Sequence, residues 1–379
     1  MAARLGSLVL FLVSLTLSAE AASFVYLHYI VDIGWMPAYL RQTPGRGPGW
    51  LTERDPWGAW HSPNRTDRQT SRCFSVSLQS NSYGARDRDR VADGDANRTV
   101  VLGDSFAEGW GVEANERLSD LLEARTHREF LNFGIENDVG PLQYQILYQR
   151  LAAKFTHDRV LILFLPDNDF TDNDADYWRR FRPDYDERYR PYYEPDGAGG
   201  YRTFYPVPKP PDGYADARSV PPGAWNAEAG RWLQRNSWSV VLYRYIGLQF
   251  YRASSSSGYL DYTPAQLDAV QWSFAKIKAL AGERQVTIAV IPRPNDFARI
   301  ASSGDHRLID ALERFGREHD IGVIDLMKWM PTVEPRTQTY FLPCDGHWSA
   351  TGNRIAADAL AAAQAADFAT PAAHAEQAH

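Results

Sequence analysis

Thr99-Val100-Val101-Leu102-Gly103-Asp104-Ser105-Phe106-Ala107-Glu108-Gly109 reads as a short apolar strand that runs into a serine and then into a helix. A serine at that junction sits on a sheet edge, where its amide and the helix N-terminus can stabilise charge developing on a carbonyl oxygen; the adjacent glycine lets the backbone turn tightly. Outward from this stretch the rhythm repeats. Apolar runs at 129–133, 159–165, 286–291 and 323–326 alternate with helical patterns near 115–125, 141–154, 264–281, 306–319 and 349–363. Thr263-Pro264-Ala265-Gln266 has capping-box form with proline at the first helical position. Strands alternating with helices predict an α/β fold: a three-layer α/β/α sandwich on a five-stranded parallel sheet, its ligand site at the carboxyl ends of the strands.

The rest of the 379 residues frame this unit, which spans 99–363. Residues 34–98 are rich in Pro, Gly, Arg and Asn, and only 73–78 alternates like a strand, so 23–98 reads as an irregular extension. Residues 171–262 form an insertion dense in aromatics, including Trp178, Tyr192, Tyr193, Tyr201, Tyr214, Trp225, Trp232 and Trp238, with 225–251 helical in pattern. Such rings either stack on sugars as a lid or build the insertion's own small core. Residues 364–379 read as a flexible tail.

At the N-terminus, Arg4 precedes an apolar run from Leu5 to Leu17, and Ala19-Glu20-Ala21 offers a small-x-small cleavage site. Residues 1–22 are therefore a signal peptide or a membrane anchor, and either one delivers the remainder outside the cytoplasm, secreted, periplasmic or tethered to the inner membrane. A net charge of −7 and only five lysines (Lys154, Lys209, Lys276, Lys278, Lys328) leave no basic field for nucleic acid. Cys73 and Cys344 form no C-x-x-C pair; in an oxidising compartment they either close a long disulfide loop or stay as two thiols.

A serine hydroxyl is a poor nucleophile until a base removes its proton. Of nine histidines, His347 has the right surroundings: Pro343-Cys344-Asp345-Gly346-His347-Trp348 lies between the fifth strand and the last helix, on the same sheet edge as Ser105. Asp345 is placed to accept the imidazole N–H and steady the imidazolium. Two more strand ends offer oxyanion donors alongside the Ser105 amide. Asn132-Phe133-Gly134 supplies the unobstructed Gly134 N–H, and Pro166-Asp167-Asn168-Asp169 supplies the Asn168 side-chain amide, although Asn-Asp after a strand is more often simply a turn.

Gly103-Asp104-Ser105, Asn132-Phe133-Gly134, Asn168-Asp169 and Asp345-Gly346-His347, in that order, resemble the four sequence blocks of the SGNH/GDSL hydrolase superfamily, over about residues 99–362. Asn81-Ser82-Tyr83-Gly84-Ala85-Arg86 is similar to a segment carried by its exported or membrane-anchored bacterial members. The resemblance implies a flavodoxin-like sandwich, a Ser105/His347/Asp345 triad, an oxyanion hole from Ser105, Gly134 and Asn168, and no metal or organic cofactor. Pro166 stands where the third block normally has glycine. The Asp-x-His-Trp ending resembles that of alginate-type O-acetyltransferases, not the commoner Asp-x-x-His.

The leading expectation is a serine esterase that removes short acyl groups, acetyl among them, from a saccharide or other small ester through an acyl-Ser105 intermediate. The same triad could instead pass the acyl group to a polysaccharide hydroxyl, which makes an O-acyltransferase the alternative. A glycan-binding module with a dead triad is the third reading. The lipase elbow fails because Ala107 stands at its final glycine, and no dinucleotide fingerprint follows the first strand.

Overall fold

The structure is a computed structural model. It describes residues 2–31, 50–209 apart from 72, 137, 183–184 and 187, 237–246 apart from 241 and 244–245, 257–330, 340–342 and 346–369. Helix α1 (Ala2–Val25) comes first; within it Gly6–Val25 is long and apolar enough to cross a membrane. Leu8 to Leu17 stand exposed along it, while Glu20, at its far end, accepts hydrogen bonds from Ser237 Oγ (2.7 Å) and the Trp238 amide (2.6 Å) of the insertion.

The extension is more ordered than its composition suggests. Strands β1 (Leu51–Asp55) and β2 (Gly58–His61) pair antiparallel, as do β3 (Thr66–Thr70) and β4 (Ser75–Gln79). Only the last of these overlaps a predicted strand. Of the others, β1 and β3 carry Glu53, Arg54, Asp67 and Arg68, which break the apolar alternation, and β2 is only four residues long. Cys73 is disulfide-bonded, and Cys344, the other cysteine of the sequence, lies outside the described residues.

The main body follows the predicted rhythm closely. Strands β5 (Arg98–Gly103), β6 (Glu129–Gly134), β7 (Arg159–Phe164), β10 (Gln285–Val290) and β11 (Gly322–Asp325) form one fully parallel sheet in the order β11-β10-β7-β5-β6. Between β7 and β10, the insertion adds a small antiparallel pair, β8 (Tyr192–Pro195) and β9 (Tyr201–Phe204). Val100, Leu102, Ile162, Leu163, Ile288 and Ala289 are wholly buried, as expected of strands covered on both faces. Counted within the sheet, the order is 2-1-3-4-5, the flavodoxin-like arrangement, and its direction reverses between β5 and β7. Right-handed crossovers then require helices on both faces. Helix α3 (Leu118–Thr126) packs with α11 (Ala350–Ala369), the last helix after α9 (Arg307–His319) and α10 (Leu326–Trp329), and α4 (Pro141–Arg150) packs with α7 (Pro264–Ala281).

Two local differences from the sequence expectation stand out, and the insertion follows one of its two expected readings. Helix α11 runs to Ala369, six residues into the stretch read as tail. Pro166 does not end the third strand in a turn: it is the first residue of helix α5 (Pro166–Asp172), where a missing amide costs nothing. After α6 (Ala175–Phe181), the described aromatics of the insertion pack inward, among themselves and onto the main body. Trp178 is fully buried under the guanidinium of Arg190 (4.0 Å), and Tyr193 and Tyr201 pack edge-on against Trp272 of α7. Tyr214, Trp225, Trp232 and most of the helix expected at 225–251 lie outside the described residues.

Candidate active site

Ser105 opens the four-residue helix α2 (Ser105–Glu108) immediately after β5. Asp104 caps it by accepting the Phe106 amide at 2.9 Å, the usual way an orphan N–H at a helix start is satisfied. Across the sheet edge, the Ser105 hydroxyl lies 2.8 Å from His347 Nε2, two residues 242 positions apart in sequence. The loop carrying His347 is closed on itself: the Leu342 amide donates to the His347 carbonyl (2.6 Å), the Gly346 amide to the Leu342 carbonyl (3.0 Å), and the Ser349 amide to the Tyr340 carbonyl (2.8 Å). Asn353 of α11 then ties this loop to α3 by accepting from the Leu118 amide at 3.1 Å. Asp345 lies outside the described residues.

The imidazole of His347 is held between two rings. Trp110 stacks on it with centroids 5.1 Å apart, and Phe106 lies 5.0 Å away on a tilted plane. Asp104 beneath it is fully buried. Burial pushes this carboxyl up to about 6, against the opposing pull of the Phe106 amide, His347, the Asn168 amide and Arg293.

The two other expected donors flank this turn. Gly134 is the register partner of Gly103 on β6, and Asn168 lies in the first turn of α5, which starts two residues after β7 ends. A Cβ on Gly134 would fall 2.2 Å from the Glu108 nitrogen, so glycine here is what lets β6 approach the back of α2. The Gly134 amide donates to Asn132 Oδ1 (2.8 Å), and a substrate oxygen would have to share it. One N–H of Asn168 donates to Asp172 Oδ2 (2.7 Å), and its amide also neighbours the Asp104 carboxylate.

Arg293 was not foreseen. It follows β10, at the start of helix α8 (Pro294–Ser303), with its guanidinium over the Phe106 ring at 5.6 Å, 3.8 Å from Asp167 and close against Gly346. Its sequence signal was the pattern Arg293-Pro294-Asn295-Asp296, a proline at the first helical position with an acid to cap the preceding amide.

Residues 295–379 match the family model described as SGNH hydrolase-like domain, acetyltransferase AlgX. That model covers the C-terminal part of the chain, from helix α8 through the last helix. No curated protein matches the chain. Among solved structures, a lipolytic protein of the G-D-S-L family from Veillonella parvula is similar at 13% identity, covering 70% of this chain and 96% of its own, with a TM-score of 0.37. A lipase/acylhydrolase from Enterococcus faecalis is similar at 14% identity, covering 71% and 96%, with a TM-score of 0.36. Ser105 and His347 meet at the switch point of the sheet, and the matched segment contains His347 but not Ser105.

Proposed function

We propose that this chain moves short acyl groups through an acyl-Ser105 intermediate, and that the natural acceptor is a saccharide hydroxyl. The observation that carries the chemistry is the 2.8 Å contact between Ser105 Oγ and His347 Nε2. His347 takes the hydroxyl proton as the oxygen attacks the acyl carbonyl. The tetrahedral oxyanion collapses, and the same proton passes to the departing alkoxide. In the second half, His347 deprotonates the acceptor hydroxyl, which attacks acyl-Ser105 and regenerates the serine. The Ser105 amide, the second N–H of Asn168 and the shared Gly134 amide serve the oxyanion, and Asp345 orients the imidazole.

Transfer is placed ahead of hydrolysis because the matched family model is that of an acetyltransferase. Hydrolysis is the second reading, since it differs only in what reaches the acyl-serine. The paired, well-placed Ser105 and His347 speak against an inert binding module. Labelled acetyl donor plus an oligosaccharide acceptor separates the two readings: labelled sugar supports transfer, and label appearing only as free acetate overturns it. Fluorophosphonate that fails to label Ser105 would overturn both.

The same proposal places the protein on the outer side of a membrane with helix α1 retained. Glu20 lies inside the cleavage motif, and its carboxylate is engaged by Ser237 and Trp238. Intact mass of the protein recovered from membranes tests it; a mature chain beginning at residues 20–23 would refute retention.

A further inference from the structure

Asn81-Ser82-Tyr83-Gly84-Ala85-Arg86 has no part in the chemistry above, yet it lies directly behind the nucleophile. Its asparagine folds the turn: Asn81 Oδ1 accepts the amides of Tyr83 and Ala85, both at 3.0 Å, and Nδ2 donates to the Arg88 carbonyl at 3.1 Å. Gly84 adopts φ +84°, and a side chain there would strike Trp60 and the His61 carbonyl at 2.5 Å. The turn so formed aims Arg86 inward, where the residue is 1% exposed.

The guanidinium of Arg86 reaches the C-terminal end of α2. Nη1 donates to the carbonyls of Glu108 (3.1 Å) and Gly109, and Nη2 donates to that of Val112 (2.7 Å). Glu108 is the last residue of α2, Gly109 its C-cap and Val112 a residue of the turn beyond, so one planar cation with five donors ties the helix end to the turn that follows it. Burial and the neighbouring Arg117 push Arg86 down to about 10, against the opposing pull of Glu108, Glu136 and Glu113. The clamped residues lead straight back to the site: the amides of Gly109 and Trp110 both donate to the Ser105 carbonyl (3.0 and 2.9 Å), and the Trp110 ring stacks on His347.

We infer that this segment is a positioning element for the nucleophile, with Arg86 as the positioning residue that sets Ser105 Oγ against His347 Nε2 by fixing the far end of α2. The inference rests on the proposed role of Ser105. It assigns a task to the extension that the chemistry alone does not. A misplacement of about 1 Å at a reacting group can cost about a hundredfold in rate, so small changes in the clamp register in catalysis first.

The test uses the full-length chain in detergent, with Arg86→Lys and Arg86→Ala. Lysine keeps the charge, but its compact ammonium cannot reproduce the planar fork that spans these three carbonyls. Arg86→Lys is expected to lose about ten- to a hundredfold in kcat and in the rate of fluorophosphonate labelling per folded molecule, with KM within about threefold. Millimolar guanidinium should restore at least part of the Arg86→Ala loss while leaving the wild type unchanged. A folded Arg86→Lys protein with wild-type kcat and labelling rate overturns the inference; should Arg86→Ala not fold, Arg86→Lys decides alone. The nitrogen chemical shift of His347 Nε2 gives a readout independent of activity. If wild-type Ser105 is never labelled, the nucleophile reading falls; the clamp then stands if Arg86→Lys moves that resonance and is overturned if it does not.

Discussion

The two flanks of β5 hold the same serine by opposite means. On the β6 side three buried arginines face opposite charges or fixed dipoles: Arg86 meets the carbonyls of Glu108, Gly109 and Val112, Arg90 pairs with Asp87 at 2.9 Å, and Arg117 pairs with Asp120 at 2.8 Å; His61 Nε2 lies 3.3 Å from Glu108. On the β7 side, acids dominate. Asp104, Asp169 and Asp172 are all fully buried, and burial raises all three, with Asp104 and Asp172 adding to the effect on their neighbours. The Tyr144 hydroxyl donates to Asp169 (2.7 Å) and Asn168 to Asp172 (2.7 Å), while Arg190 and Arg182 oppose the upward push on Asp172. A charge-balanced flank resists change in pH, whereas a flank of buried acids holds protons and yields them as pH rises. The first flank is therefore expected to fix geometry and the second to carry the pH response.

The largest effect comes from removing what both flanks serve. Ser105→Ala should lower acyl transfer and aryl-ester turnover by about 10⁴-fold or more, with thermal stability little changed. Turnover near the wild-type level in a purified variant would remove the common object of the comparison.

Next comes the β6 flank. In Gly134→Ala, the new methyl would fall 2.2 Å from the Glu108 nitrogen and 2.5 Å from the Ala107 carbonyl carbon, both backbone atoms that cannot swing away. Overpacking of this kind costs about 1–3 kcal/mol, and the displacement of α2 should slow acylation by about a hundredfold. Denaturant unfolding and single-turnover acylation measure the two together. If neither changes, the β6 flank is not the rigid one.

How these features were or were not legible in the sequence follows from their physics. The five sheet strands stood out because strands buried on both faces need unbroken apolar runs, and α7 because Thr263 and Gln266 form a reciprocal cap. His347 was found through its neighbours in the chain and its place on the sheet edge. The hairpins of the extension were lost because their short strands carry charges. The roles of Arg86 and His61 were lost because burial of an arginine or histidine depends on distant partners, which have no sequence period. Asn168 looked like a turn residue because Pro166 reads equally as a stop and as a helix start; only the packing of α5 against α7 decides between them.

The β7 flank is sharpened by Asp172→Asn. Burial raises Asp172 to about 8. A group raised on folding lends stability that is fully present below its unfolded value near 3.9 and is lost as pH climbs through its folded value. Wild-type stability should therefore fall relative to the variant by roughly a few kcal/mol between pH 4 and pH 8. Denaturant unfolding at pH 5 and pH 8 measures it, and parallel losses in the two proteins would mean the acid-rich flank does not carry the pH response.

The smallest and most local test is Asp104→Asn. Asparagine caps a helix about as well as aspartate, so the Phe106 bond survives and only the charge is lost. In the wild type, Asp104 gains its proton as pH falls through about 6, and the attraction it offers to an imidazolium at His347 disappears with its charge. A step in kcat/KM of about three- to tenfold should therefore appear near pH 6 in the wild type, lower on the acid side, and vanish in the variant. The variant should resemble acid-side wild type at every pH above the step. A step of equal size in both proteins would assign it to another group and leave Asp104 as a cap alone, which would place the acid flank's pH response deeper, at Asp169 and Asp172.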